Sequence, residues 1–429
     1  MTAVADFTAS EAASEAASEI ALLETVSLYL HIPFCHAKCH YCDFNSYAGM
    51  LGLREQYVDA LLAEIALAGA RAAPVGGGRR RCRTIFFGGG TPSLLTAAQV
   101  HALIGAVREA FALDADAEIT LEANPGTLEY GHLDELRAAG VNRLSMGAQS
   151  FDAELLRWMG RIHSPREIEV AFAAARAAGF ASVNLDFIYA LPGQTIDVWA
   201  ETLARASALG PDHLSLYSLI VEEGTPLFRW VQQGRVRPAD EDLAADMFEL
   251  AIQRLGAAQF QHYEVSNWAR PGRECRHNLT YWHNLPYIGL GAGAHGWFGG
   301  WRYANVRPIR DYIARVRAEA AAMDGEASRR PPADAAIPGG AVVEREHISP
   351  ELEQAETAML GLRLRRGLDL AAFRARFGRG FEEVFGGRLA QVRAYGLLES
   401  TDRVARLTDR GLLLGNEVFA CLLPDARED

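Results

Sequence analysis

The chain has 429 residues, 49% of them apolar and 22% charged, with a formal net charge of −12. That balance supports a globular core of one large domain or two to three smaller ones. The acidic excess argues against nucleic acid as the main partner, because no surplus of Lys and Arg is present to displace counterions.

Residues 1–24 repeat an Ala-Ser-Glu theme and read as a disordered tail. They lack the basic start and apolar stretch of a secretory signal, and no apolar run reaches the ~18 residues that span a bilayer. A cytoplasmic location is therefore expected, with peripheral membrane association left open.

From Val26 onward, short β-branched or aromatic runs alternate with Ala-rich helical stretches. Strands are predicted at 26–32, 84–87, 118–122, 143–147, 182–188 and 213–219. Helices are predicted at 54–72, 96–111, 131–139, 165–178 and 195–208. Two of these helices end in Arg-Ala-Ala-Gly, placing Gly140 and Gly179 as left-handed stops before the next strand. Repeated β-then-α units imply a parallel sheet with right-handed crossovers. The fold class is α/β, and the motifs below favour a partial (β/α)6 barrel over residues 25–225 rather than a doubly wound sheet.

Residues 226–325 read as an extension of the barrel, with a helix at 241–255, a strand at 259–265 and a segment dense in His, Asn, Trp, Tyr and Gly. Residues 326–347, rich in Pro, Ala and Gly, read as a linker. Residues 348–429 read as a small module: helices at 350–365, 369–377 and 382–395, then strands at 397–400 and 405–407. That order suggests a winged-helix-like shape, but shape alone does not imply DNA binding.

Three of the six cysteines, Cys35, Cys39 and Cys42, fall within eight residues directly after the first predicted strand. Barrel enzymes place their chemistry on such loops. Three thiolates can ligate three irons of a [4Fe–4S] cluster and leave the fourth open; an open iron can chelate the amino and carboxylate groups of S-adenosylmethionine (SAM). The competing reading is a zinc site completed by His31, His36 or His40. After the second strand, Gly88-Gly89-Gly90-Thr91-Pro92 permits close backbone approach to a ligand. Later strands end near Glu122, Gln149 and Asp186, with Arg161 between the fourth and fifth.

The C-x3-C-x2-C spacing with Tyr41 before the third cysteine resembles the signature of the radical SAM superfamily. The fuller phrase Tyr29-Leu-His31-Ile-Pro-Phe-Cys35 is similar to the branch of oxygen-independent coproporphyrinogen III oxidases and their relatives. The resemblance implies that Gly89, Gly90 and Thr91 hold the methionyl end of SAM. It also implies that Tyr29, Tyr41, Glu122, Gln149, Arg161 and Asp186 contact SAM, Arg161 suiting its carboxylate and the acids its ribose hydroxyls. An external electron donor is implied as well.

Two departures separate the relatives. The oxidase branch carries a fourth cysteine two residues beyond the third, where this chain has Phe44. The region before the motif is also short and of low complexity. Both features resemble the sister group, the haem chaperones of the HemW type, and so does His277-Asn-Leu-Thr-Tyr281-Trp282, an element that group associates with haem. The resemblance makes His277 the candidate haem ligand, with Cys275, His283 and His295 as rivals. It implies haem and a haem-acceptor protein as partners, with oxidative decarboxylation of coproporphyrinogen III as the alternative activity.

Overall fold

The computed structural model describes residues 21–424 apart from 129, 326–336 and 338–340. Residues 1–20 of the expected tail and much of the expected linker lie outside the described residues. Six parallel strands form the centre of a twelve-stranded sheet: β1 (Val26–Ile32), β2 (Arg81–Gly89), β3 (Ala112–Ala123), β4 (Arg143–Gln149), β5 (Ser182–Tyr189) and β6 (His213–Ser218). They lie side by side in chain order, each paired in parallel with the next. Helices α1 (Arg54–Ala72), α2 (Ala97–Ala110), α3 (Tyr130–Ala139), α4 (Ala153–Met159), α5 (Pro165–Ala177) and α6 (Ile196–Leu209) connect them. Gly140 and Gly179 both take positive φ, as the helix stops require.

Strand alternation explains the layering. One face carries Leu28, Leu30, Ile85, Phe87, Leu121, Leu144, Leu185 and Leu214, all buried in the core. The other carries Ser27, Thr84, Ser145, Asn184 and His213, also buried but bonded to one another or to the segment that fills the lumen. Period-two patterning thus gives the sheet one greasy and one polar face, and curvature turns the polar face inward.

Beyond the six-strand unit the sheet continues in both directions. Past β6, helices α7 (Pro226–Gln232) and α8 (Glu241–Ala257) lead to strands β7 (Gln261–Glu264) and β8 (Asn267–Ala269), which extend the sheet with antiparallel pairing. On the other edge β9 (Tyr287–Leu290) pairs in parallel with β1, followed by antiparallel β10 (His295–Phe298), β11 (Trp301–Asn305) and β12 (Val342–His347). The end of the expected linker is therefore a sheet strand, because its alternating Val, Glu and Arg pair with the edge of β11.

The C-terminal module has helices Pro350–Gly361, Leu370–Phe377, Phe381–Phe385 and Ala390–Ala394, and a small antiparallel sheet of Leu368–Asp369, Val404–Leu407 and Leu398–Ser400. The run predicted as one helix over 382–395 is two, interrupted at Gly386-Gly387, where backbone entropy disfavours a helix interior. The module is stitched to the barrel extension by backbone bonds from Val265 to Arg363 and from Arg365 to Tyr263, at 3.1 and 3.0 Å.

Helix α5 begins with a capping box, Ser164 and Glu167 exchanging side-chain and backbone bonds. Its N-cap, Ser164, lies three residues after Arg161, so the cap also sets the end of the loop that presents that guanidinium. Ser164→Ala is expected to lower stability by about 1 kcal/mol, measured by urea denaturation. An unchanged midpoint would show that the box contributes nothing here.

Candidate functional site at the barrel mouth

The loops at the C-terminal ends of the parallel strands enclose a cavity of about 450 Å³, within the usual range for small-ligand sites. Eleven of the thirteen predicted site residues line it: the three cysteines, Tyr41, Gly89, Gly90, Thr91, Glu122, Gln149, Arg161 and Asp186. Tyr29 and His277 do not.

The cysteine loop follows β1 and is anchored from two sides. Gly90 N–H and Thr91 N–H donate to the carbonyls of Ile32 and Phe34, at 2.9 and 2.8 Å. On the opposite side the backbone N–H of His40 donates to Met159, and its ring nitrogen Nδ1 bonds the Trp158 carbonyl at 2.8 Å. Thr91 Oγ1 lies 3.7 Å from Cys35 Sγ and Ser46 Oγ 3.9 Å from Cys42 Sγ. Burial raises the thiol pKa of both Cys35 and Cys42, so a bound cation is needed to hold them as thiolates. Among the described residues no three His, Cys, Asp or Glu side chains gather on a point as a single ion requires. The thiols instead border one cavity, the arrangement that suits a cluster with separate irons.

Glycine is demanded at two positions here. Gly89 has φ +112, and a Cβ there would stand 2.4 Å from the His31 ring; at Gly90 it would stand 2.6 Å from the Phe34 carbonyl oxygen. The turn thus presents bare backbone to the cavity. His31 supports it from beneath, its Nε2 on the Asn45 carbonyl at 2.8 Å and its Nδ1 on Tyr29 OH at 3.0 Å. Tyr29 therefore faces the lumen one layer below the cavity.

Register sets the carboxylates. Glu122 stands beside Ser145, and Gly147 beside Asp186. Glu122 accepts from Gly89 N–H at 3.0 Å. Asp186 accepts from Ser145 Oγ and Asn184 Nδ2 at 3.1 and 2.7 Å. Burial, and then the charge of Asp186, push Glu122 up to about 8; burial also raises Asp186. Arg161 donates to the Gly147 carbonyl at 2.7 Å and reaches Cys39 Sγ at 3.5 Å, while its buried Nε has no partner. An orphaned guanidinium nitrogen, two buried carboxylates and a bare glycine turn fit a zwitterionic ligand that carries a carboxylate, an amine and hydroxyls.

His277 is placed elsewhere. It lies in α9 (Arg276–Trp282), which enters the lumen at the N-terminal end of the sheet. The N-terminal amides of that helix sit on Glu118, which accepts from Arg276 N–H and His277 N–H at 3.0 Å each. His277 is 1% exposed; Nδ1 bonds Thr84 Oγ1 at 2.7 Å, Nε2 bonds Tyr281 OH at 2.9 Å, and the ring stacks on Phe86. Both ring nitrogens are engaged within the lumen, and His277 does not border the cavity at the barrel mouth. Among the rivals, Cys275 is buried with its thiol on Glu118, His283 bonds Arg366, and His295 is exposed on β10.

Lys38, Tyr217, Ile220 and Glu222 also line the cavity. They carried no motif. Their signal was position alone: within the cysteine loop, or at and just beyond the end of β6.

The Radical SAM superfamily profile matches residues 29–206, and that of the HemN C-terminal domain matches residues 348–414. "Heme chaperone HemW" of Bacillus subtilis is 36% identical over 92% of this chain and 99% of its own length. The protein of that name from Mycobacterium tuberculosis H37Rv is 40% identical over 92% of this chain and 94% of its own. Among solved structures, coproporphyrinogen III oxidase (HemN) from Escherichia coli, a radical SAM enzyme, superposes with a TM-score of 0.76. That match has 26% identity and covers 97% of this chain and 94% of the other. Kinship of this extent, running through barrel, extension and C-terminal module alike, places the chain in the heme chaperone HemW family of the radical SAM superfamily.

Proposed function

We infer that this protein binds haem and passes it to an acceptor protein, and that it carries a [4Fe–4S] cluster with SAM at the barrel mouth. The observation that carries the reading is Phe44. The structural likeness alone leaves chaperone and oxidase side by side, since the HemN fold covers nearly the whole chain. At the position where the oxidase branch has its fourth cysteine, this chain places an exposed aromatic ring.

Cys35, Cys39 and Cys42 would hold the cluster, with Thr91 and Ser46 beside two of the thiols. Arg161 would take the SAM carboxylate on its unpartnered edge. Gly89, Gly90 and Thr91 would hold the methionyl end; Glu122 and Asp186 would accept from the amine or ribose hydroxyls, and Tyr41 and Gln149 would close the walls. When bound, the cluster supplies an electron, delivered by an external donor. Tyr29 acts from below, by holding His31 under the glycine turn. The reading makes no use of His277 as an iron ligand. Among the described residues no helix is long and apolar enough to cross a membrane.

Haemin titration of the reconstituted protein is expected to give a saturable Soret shift. Anaerobic incubation with coproporphyrinogen III, SAM and a reductant is expected to give no protoporphyrinogen. Formation of protoporphyrinogen would reverse the assignment in favour of the oxidase.

A further inference from the structure

We propose that haem docks by its macrocycle face at the mouth of the cluster cavity, on an apolar rim of Phe44, Tyr217 and Ile220, with Lys38 taking a propionate. The site rests on the haem-handling reading above and gives it a location.

Among the described residues eleven large apolar side chains are exposed, and these three, at 60%, 44% and 66%, border one cavity. Isolated exposed apolar residues need no explanation, but convergence on a concavity does. They arrive from distant parts of the chain. Phe44 ends the cysteine loop, Tyr217 lies near the end of β6, and Ile220 lies on the loop that follows. Leu219 and Ile188 carry the apolar wall inward.

The rim favours a flat, rigid, apolar disc. Haem is one, and its two carboxylates share an edge and need a cation. Lys38 Nζ donates to the carbonyls of Phe44 and Ser46 at 3.1 and 3.3 Å. Two of its three donors are used, so one remains for a propionate beside the aromatic ring. Asp43 and Glu222 also border the cavity, and their charge disfavours turning the propionate edge their way. The contact is with the macrocycle, so it needs no iron ligand. That agrees with His277 being sealed in the lumen.

The test compares haemin and metal-free protoporphyrin IX, titrated into the full-length reconstituted protein. Wild type is expected to bind both. Phe44→Ser and Ile220→Ser should each weaken both by about tenfold, the loss of one half-buried apolar contact. Lys38→Ala should weaken both and Lys38→Arg restore them. Ile220 lies far in sequence from the cysteines, so Ile220→Ser separates the rim from any loss of cluster, read from visible absorbance. Failure of wild type to bind haemin overturns the haem-handling reading, and the site with it. Haemin binding without protoporphyrin binding, or rim variants that bind as wild type, overturns the site alone. So do variants that bind normally but no longer transfer haem, for the rim would then be a protein-docking face.

Discussion

His277→Ala is expected to cost about 3–5 kcal/mol of stability while leaving the haemin spectrum of the folded protein unchanged. The ring is enclosed by Phe86 and Tyr281, and its loss empties a cavity and strips a partner from the hydroxyls of Thr84 and Tyr281. Burial, then the nearby Arg143, lower its pKa to about 3, against 6.5 for the free side chain. The fold thus holds this imidazole neutral. Stability from that preference is present above pH 6.5 and is lost as pH falls from there towards 3, because the unfolded chain takes up the proton first. The gap between wild type and variant should therefore narrow in acid. Denaturation at pH 7.5 and 5 measures both effects. A stable variant with a lost Soret shift would restore His277 as the haem ligand.

Affinity for SAM should rise by up to about tenfold per pH unit towards pH 8 and level off above it. Glu122 holds its proton up to about pH 8, through burial and then the charge of Asp186. A ligand carrying a sulfonium and an ammonium favours the ionised carboxylate and lowers that pKa, so binding releases a proton. Glu122→Gln should flatten the dependence and weaken binding at pH 8. Calorimetry in two buffers of different ionisation enthalpy counts the proton; uptake instead of release would refute the role given to Glu122.

How much was legible varies by element, and the reason is range. Strand β1 and helix α1 occur where apolar period and turn residues place them, over Val26–Ile32 and Arg54–Ala72. Capping boxes at Thr96 and Ser164 start helices locally. Each signal involves neighbours in the chain. By contrast β9 is four residues long and finds its partner in β1, some 260 positions earlier. A strand that short carries too little pattern to announce itself, and pairing over that distance is a property of the closed fold. The break at Gly386-Gly387 was visible as glycine but was outweighed by the apolar pattern around it.

The chemistry of the cysteine loop was readable by itself, since three thiols at that spacing after a strand, followed by a glycine turn, restrict what can bind. Phe44 was readable too, as a residue type. What only the tertiary structure decided is what these residues face. The motif around His277 identifies an imidazole beside aromatics, and such a set serves a porphyrin or a packed interior equally well. Docking of the α9 amides on Glu118 turns His277 inward, and that contact spans 159 positions. The same folding brings Ile220 across from Phe44, so an apolar rim exists only once the barrel has curved. Residue type determined which chemistry was possible; burial, a property of the whole packed chain, decided which of those groups can be reached.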